Sequence, residues 1–281
     1  MNGTLFICGT PIGNLEDITL RCINTLRNVD LIAAEYTRQT IKLLNHYDIK
    51  KSLTSYHEHN KNTKGYKIIE ELKKGKNVAL VSDAGMPGIS DPGEDLIKLC
   101  YEESIPVTVV PGPTADVSAV VLSGLGSRSY CFEGFLPNGK KQRNAVLDRL
   151  KTEQRTIVLY EAPHHLNKTL SEIYSSVGNR DVAVIKEITK RYENVNRGKL
   201  EDIIKYYDEN EPKGEFVIVI NGLGLTEVYE EKRISFENMS VEEHIGIYLK
   251  QGMDSKEAMK RTAKDRGVGK REIYAYFNKN K

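Results

Sequence analysis

No stretch of this 281-residue chain approaches the roughly 18–20 uninterrupted apolar residues that a membrane-spanning helix requires. The opening segment MNGTLFICGTPIGN lacks both the charged start and the apolar run of a secretory leader, so a cytoplasmic location is expected. Cysteine is scarce. Cys8, Cys22, Cys100 and Cys131 are far apart and form no Cys-x-x-Cys pair, which excludes a disulfide framework and a zinc knuckle and predicts reduced core residues. The dinucleotide fingerprint GxGxxG is missing. The nearest approach to a P-loop, Gly134-Phe-Leu-Pro-Asn-Gly139-Lys140-Lys141, has Lys where a metal-binding Ser or Thr is required, which argues against a nucleoside-triphosphate hydrolase. There is no GxSxG, hence no hydrolase nucleophile elbow.

What is present is ordinary for a globular protein: 39% hydrophobic and 28% charged residues, with 22 Gly and 9 Pro. The length allows two domains, or one large domain with an appendage. Net charge is only +2, yet residues 250–281 hold ten Lys or Arg against four Asp or Glu. Basic charge gathered at the C-terminus points to a polyanionic partner.

Short β-branched runs at Thr4–Cys8, Asp30–Ala34, Asn77–Val81 and Val107–Val110 predict strands, with helices near Ile18–Leu26, Thr37–His46, Thr63–Lys74 and Pro92–Tyr101 between them. That alternation is the βαβ rhythm of a mostly parallel sheet. A second series predicts strands near Tyr130–Glu133, Thr156–Tyr160, Asp181–Lys186 and Glu215–Asn221, and helices near Thr114–Leu122, Lys141–Leu150 and His164–Ser176. Pro111-Gly-Pro113 is expected close to the hinge between the two. The reading is therefore an α/β protein with an N-terminal domain (1–112), a second α/β domain (113–224), and a connector with a basic helical unit (225–281).

That unit shows three helical patterns, Val241–Leu249, Asp254–Arg266 and Lys270–Phe277, separated by Gly252 and Gly267. Asp254 and Glu257 have capping-box spacing. Ala258/Thr262 and Met259/Ala263 form one apolar stripe, and Ile273/Tyr276/Phe277 another. A helix-turn-helix and a plain three-helix cap with a solvated basic face both fit this pattern.

Two loops carry the chemistry. Gly9-Thr-Pro-Ile-Gly13-Asn14 follows the first strand, and Ser82–Gly93 follows the strand Asn77–Val81. In the second loop Asp91 is a natural helix cap with Pro92 behind it, and Glu94 and Asp95 complement the helix dipole. Asp83 and Gly85 have no such structural duty, and they sit at the carboxyl end of a strand, where open α/β sheets bind ligands. His57-Glu-His59 has no third ligand in sight, so a structural or substrate-contacting part is expected and no metal site. His164-His165, at a strand-to-helix turn, fits either a polar site wall or a helix cap.

Eight segments occur in the order seen in one family: Gly9–Leu15, Ala34-Glu-Tyr-Thr-Arg38, Ser55-Tyr-His-Glu-His-Asn60, Ser82–Gly93, Pro111-Gly-Pro113, Phe132-Glu-Gly-Phe-Leu-Pro137, Glu161-Ala-Pro-His164 and Lys213-Gly-Glu-Phe216. On these the sequence closely resembles the small-subunit ribosomal RNA methyltransferase I family of the tetrapyrrole methylase superfamily, over residues 4–222 and the helical appendage. The resemblance implies transfer of a methyl group from S-adenosyl-L-methionine to the ribose 2′-oxygen of a cytidine in the decoding region of 16S rRNA, cytidine 1402 in the family's usual target. It also implies a homodimer, and a cofactor cleft between two α/β domains. Carried over by motif position, the cofactor loops are Pro11, Asp83, Ala84, Gly85, Ile89, Thr114, Ala115, Tyr160, Ala162 and Gly214.

A ribose hydroxyl is a poor nucleophile near neutral pH, so a base or a stabilising cation is expected beside it. The candidates are Asp83, Glu133, Glu161, Lys186, Glu187 and Arg38, with Asp83 and Glu187 foremost because both fall at predicted strand ends. Lys260, Lys264, Lys270 and Arg271 are the expected rRNA contacts of the tail. Two positions depart from the family's pattern: Tyr36 stands where Asp is usual, and His165 where Arg is usual. Methylation of a tetrapyrrole or another small molecule on the same scaffold, and an RNA-binding adaptor without activity, are the competing readings.

Overall fold

A computed structural model of the chain describes residues 1–224 and 239–279, with side chains of the last helix as far as Ala275. The first five strands are β1 (Leu5–Cys8), β2 (Leu31–Ala34), β3 (Ser52–Ser55), β4 (Val78–Val81) and β5 (Val107–Val110). They form an all-parallel sheet in the order β3-β2-β4-β1-β5. Parallel pairing demands crossovers, supplied by α1 (Leu20–Asn28), α2 (Thr37–His46), α3 (Lys61–Lys73) and α4 (Gly93–Glu102). Side chains alternate across each strand, so Leu5 and Ile7 of β1 enter one core with Ile68 and Leu96, while Cys8 enters the opposite core with Cys22 and Leu26. Every residue of β4 is buried, as a central strand covered on both faces should be.

Five more strands, β6 (Tyr130–Phe135), β7 (Thr156–Glu161), β8 (Asp181–Lys186), β9 (Asn194–Lys199) and β10 (Phe216–Ile220), make a second sheet in the order β6-β7-β10-β8-β9. This sheet is mixed: β6 and β7 are parallel, whereas β10 runs antiparallel to both β7 and β8, and β9 antiparallel to β8. Helices α6 (Lys140–Leu150), α7 (Leu166–Val177) and α8 (Leu200–Glu209) cover one face. On the other face, α5 (Ala115–Ser123) packs with Val158, Ala183 and Val219, and Ile12 from the loop after β1 joins them. Both sheets belong to one compact unit comprising Met1–Leu150 and Arg155–Asn221.

Strands β3 and β9 are not expected from the sequence, and both are edge strands. Their sequences, Ser-Leu-Thr-Ser and Asn-Val-Asn-Arg-Gly-Lys, carry little apolar signal because a strand paired on one side is only partly covered. Helix α8 is a further element beyond those expected, although Leu200, Ile203 and Tyr207 recur at helical spacing. Helix α4 begins one residue later than expected: Pro92 occupies the cap position, and Asp91 Oδ1 accepts the N–H groups of Gly88 and Gly93 at 2.8 and 2.7 Å.

The residues from Gly222 onward, with Lys151–Gln154, form a second unit. Its helices are α9 (Val241–Lys250), α10 (Ser255–Asp265) and α11 (Lys270–Lys279), around a core of Ile245, Ala258, Met259, Ala263 and Ile273. The reciprocal capping box falls at Ser240 and Glu243; at Asp254 only half of one forms, its side chain accepting the Glu257 N–H. The polar connector 225–238 and the side chains of Tyr276 and Phe277 lie outside the described residues.

Candidate active site at the carboxyl ends of both sheets

Neighbouring strands β1 and β4 send their following chains in opposite directions, so the loops after them stand side by side at a crevice. These loops are stitched together. Thr10 N–H donates to Gly85 O at 2.9 Å, Gly85 N–H donates to Thr10 O at 3.1 Å, and the Thr10 hydroxyl donates to Ser82 O at 3.3 Å. Gly85 has φ +81°, and a Cβ there would meet Ile12 Cγ2 at 3.3 Å, so both its conformation and its surroundings call for glycine.

Above this pair lies a cavity of about 410 Å³. The first sheet supplies Ile12 after β1, Glu35 after β2, Ser82–Met86 and Ile89–Asp91 after β4, and Thr114–Asp116 after β5. The second sheet supplies Phe135 from β6, Tyr160–Pro163 from β7, Ile188 after β8 and Glu215–Val217 at the start of β10. Because β10 is antiparallel, its first residues lie at the same edge as the last residues of β7 and β8. The lining residues include the acids Glu35, Asp83, Asp91, Asp116, Glu161 and Glu215 and, among the described residues, no Lys, Arg or His; the Glu215 carboxylate is paired with Lys190 outside the lining. Apolar side chains such as Ile12, Ile89, Phe135 and Ile188 complete it.

Burial raises the Asp83 carboxyl above the usual range, partly offset by the Tyr36 N–H, which donates to Oδ1 at 3.2 Å. Burial, with the charges of Asp83 and Asp91, also raises Glu35. Asp91 is raised by burial despite its backbone donors. The Tyr160 phenol is raised by burial and by nearby Asp116, and its ring meets Phe132 and Phe135 edge-on at 4.8 and 5.6 Å. Glu161 is buried; its Oε1 accepts the Ala162 N–H at 2.9 Å and its Oε2 the Thr169 hydroxyl at 2.5 Å. Arg143 Nη2 donates to the same Thr169 hydroxyl oxygen at 2.6 Å, so this carboxylate is the end of a fixed chain of contacts.

Of the expected cofactor residues, the fold brings Asp83, Ala84, Gly85, Ile89, Thr114, Ala115, Tyr160 and Ala162 to one cavity. Pro11 lines an adjoining cavity instead. Gly214, with φ +93°, does not line the cavity but backs onto Glu187, which leaves no room for a Cβ there. Among the expected catalytic residues, Asp83 and Glu161 reach the cavity, and Glu187, Lys186 and Arg38 do not line it.

The reason for Glu187 is local. After β8 the backbone turns at Glu187 with φ +51°, and its carboxylate folds back to accept the Glu215 N–H at 2.8 Å and the Lys190 ammonium at 3.0 Å. Burial acts to raise its pKa, but these donors outweigh it and leave Glu187 below the usual range. Lys186 ends β8 half-buried, Arg38 is exposed on α2, and Glu133 pairs with Arg149. Sequence reasoning missed Ile12, Glu35, Phe135, Ile188 and Phe216 as lining residues. Glu35 and Phe216 lie inside motifs singled out for the family resemblance, whereas Ile188 carries no local signal because only the chain turn after β8 delivers it.

His57 Nε2 lies 3.0 Å from Asn60 Nδ2 within its own loop, and among the described residues no group of three His, Cys, Asp or Glu is placed to hold a metal. His164 and His165 are exposed on a single 3-10 turn and do not line the cavity; His165 occupies the N-cap position of α7, without a hydrogen bond from its side chain. In the second unit, Lys260 and Lys264 on α10 and Lys270 and Arg271 on α11 are all exposed.

Residues 4–204 match the model of the Tetrapyrrole (Corrin/Porphyrin) Methylases. The chain is 48% identical over 276 residues, 98% of its own length and 95% of the relative's, to ribosomal RNA small subunit methyltransferase I of Halalkalibacterium halodurans. It is 47% identical to the Bacillus subtilis protein of the same name, over 98% of this chain and 94% of that one. The Thermotoga maritima protein of that name is 50% identical over 220 residues, which are 78% of this chain and 99% of that one. Among solved structures, a diphthine synthase superposes with a TM-score of 0.62 at 15% identity, covering 79% of this chain and 90% of that one. Uroporphyrin-III-C-methyltransferase of Thermus thermophilus gives 0.57 at 19% identity, over 82% and 98%. On the model match and these near full-length relatives, the chain belongs to the ribosomal RNA small subunit methyltransferase I family of the tetrapyrrole methylases.

Proposed function

We propose that the chain binds S-adenosyl-L-methionine in the 410 Å³ cavity and methylates the ribose 2′-oxygen of a cytidine in the decoding region of 16S rRNA. The observation that carries the cofactor reading is the charge of the lining: six acidic residues, of which only Glu215 is in an ion pair, and no cationic side chain among the described residues. Such a wall repels phosphates and attracts a ligand bearing a sulfonium and an ammonium group, while Ile12, Ile89 and Phe135 offer apolar faces to an adenine. The names of the relatives support rRNA as the acceptor.

Bound there, the sulfonium supplies an already activated methyl group. The chain's own residues have two tasks left, alignment and proton removal. Asp83, whose carboxyl is raised by desolvation and which lines the cavity wall, accepts the ribose proton. Glu161 acts through its neighbours: tied to Thr169 and the Ala162 N–H, it fixes the loop that carries Ala162 and Pro163. Glu187 holds the loop after β8 against Gly214 and Glu215.

The second unit supplies affinity, with Lys260, Lys264, Lys270 and Arg271 docking on rRNA phosphates. The T. maritima relative, nearly all of whose length aligns within 220 residues, supports an accessory place for part of this chain. We assign the protein to the cytoplasm as a homodimer; no helix among the described residues is long and apolar enough to cross a membrane. The reading is tested by incubating the protein with S-adenosyl-L-methionine and small ribosomal subunits from a strain lacking the corresponding gene. The expected product is a cytidine whose 3′ linkage resists alkali. A base methyl on an alkali-labile nucleotide, or methylation of a tetrapyrrole alone, overturns it.

A further inference from the structure

A second cavity of about 450 Å³ adjoins the first and shares the wall formed by Ile12, Ser82, Asp83, Ala84 and Glu215. Its character is different. Gln39 and Lys42 of α2 line it together with Lys190, whose charge is already met by Glu187 and Glu215. Arg38 and Lys42 stand one turn apart on α2, and neither is in an ion pair with a carboxylate among the described residues. At the head of the same helix sits Tyr36, 61% exposed, its N–H bound to Asp83 on the shared wall. An aromatic face in solvent, two such cations along the next turn and a carboxylate behind them make the set that binds single-stranded nucleic acid: a π platform for a base and cations for its phosphates.

We infer that the acceptor strand runs along the head of α2 into this second cavity, with a base stacked on Tyr36 and one flanking phosphate held by Arg38 outside the cavity, the next phosphate held by Lys42 in its wall, and the ribose hydroxyl presented to Asp83. The inference rests on the methyl-transfer reading above for its last element only. Binding of RNA across α2 stands or falls by itself. Charge contrast explains why the two ligands do not exchange places, since the carboxylate wall favours the cationic donor and the α2 side favours the polyanion.

The chain contains no tryptophan, so Tyr36→Trp gives a protein whose only indole lies on the inferred platform. The probe is an oligocytidylate of about eight nucleotides, labelled for anisotropy, at low salt. Quenching of the indole emission with the same midpoint as the anisotropy change is expected. Tyr36→Ala is expected to weaken oligonucleotide binding about tenfold and to raise KM for small subunits with little change in kcat, while Tyr36→Phe and Tyr36→Trp stay near the unaltered protein. Calorimetry with S-adenosyl-L-methionine is expected to give the same affinity for all four proteins, because the Tyr36 contact to Asp83 is made by the backbone. Absence of donor binding defeats the methyl-transfer reading and leaves the α2 result standing. Bound oligonucleotide without quenching, unchanged affinity in Tyr36→Ala, or no oligonucleotide binding by the unaltered protein overturns the inference.

Discussion

Gly9 and Gly112 meet backbone to backbone: a Cβ on Gly9 would lie 2.7 Å from Gly112 Cα, and a Cβ on Gly112 would lie 2.8 Å from Gly9 Cα. They follow β1 and β5, neighbours in the first sheet, and their contact sets the spacing of two loops that line the cavity. Backbone cannot step aside as a flexible side chain does. Gly9→Ala and Gly112→Ala are each expected to cost about 1–3 kcal/mol of stability and to lower donor affinity, read by urea unfolding and by calorimetry. Unfolding midpoints equal to that of the unaltered protein would show that the strands part at no cost.

Thr169 is the hydroxyl that satisfies Glu161 Oε2 in the core beside the cavity. Thr169→Val keeps the volume and removes the donor, so a loss of about 1–3 kcal/mol and a weaker hold on the methyl donor are expected. Thr169→Ser is expected to restore both. Thermal unfolding of the three proteins, with and without S-adenosyl-L-methionine, checks this.

Glu35 and Asp83 are raised by burial, and in Glu35 by the neighbouring carboxylates as well. A carboxyl raised in the folded state contributes stability that is complete below its ordinary pKa and lost as pH climbs through its folded value. Glu35→Gln is therefore expected to raise the melting temperature at neutral pH, with the gain fading on acidification below the ordinary carboxylate range.

The same groups make binding of a cationic donor pH-dependent. As Glu35, Asp83 and Asp91 ionise the wall becomes more attractive, so affinity for S-adenosyl-L-methionine is expected to rise with pH through the range in which these carboxyls titrate. Calorimetry in buffers of different ionisation heat is expected to show proton release on binding. A flat affinity over that range contradicts the assignment of charge to this wall.

Lys260, Lys264, Lys270 and Arg271 are exposed on two successive helices. Replacing all four by Gln in the full chain is expected to spare donor binding and to flatten the dependence of rRNA affinity on salt, by about 0.7–0.9 in the log-log slope for each phosphate that is no longer neutralised. An unchanged slope supports the cap reading of the unit, in which its basic face is only solvated.

The loops are legible in the sequence because each has a local reason to exist: Gly85 needs its left-handed backbone, Asp91 its two N–H partners, and β4 its unbroken apolar run. The residues that sequence reasoning missed owe their places to pairings across the fold. Glu187 resembles Asp83 in being a carboxylate just past a strand end, yet the turn there directs it back onto Glu215 and away from the cavity. Phe216 enters the lining only because β10 is reversed relative to its neighbours, and nothing in Lys213-Gly-Glu-Phe216 reveals strand direction. Ser52–Ser55 is invisible to pattern reading because an edge strand half in water needs no apolar alternation.

The reciprocal hydrogen bonds between Thr10 and Gly85 join two segments separated by 75 positions in the chain. Such a pair opens only when both bonds break together, so the floor of the cavity is ordered when the protein folds and not when a ligand arrives. The entropy of arranging those loops is then already spent, and little of the ligand's interaction energy is diverted to it. Slow exchange of both amide protons in the ligand-free protein is the signature of that preorganisation.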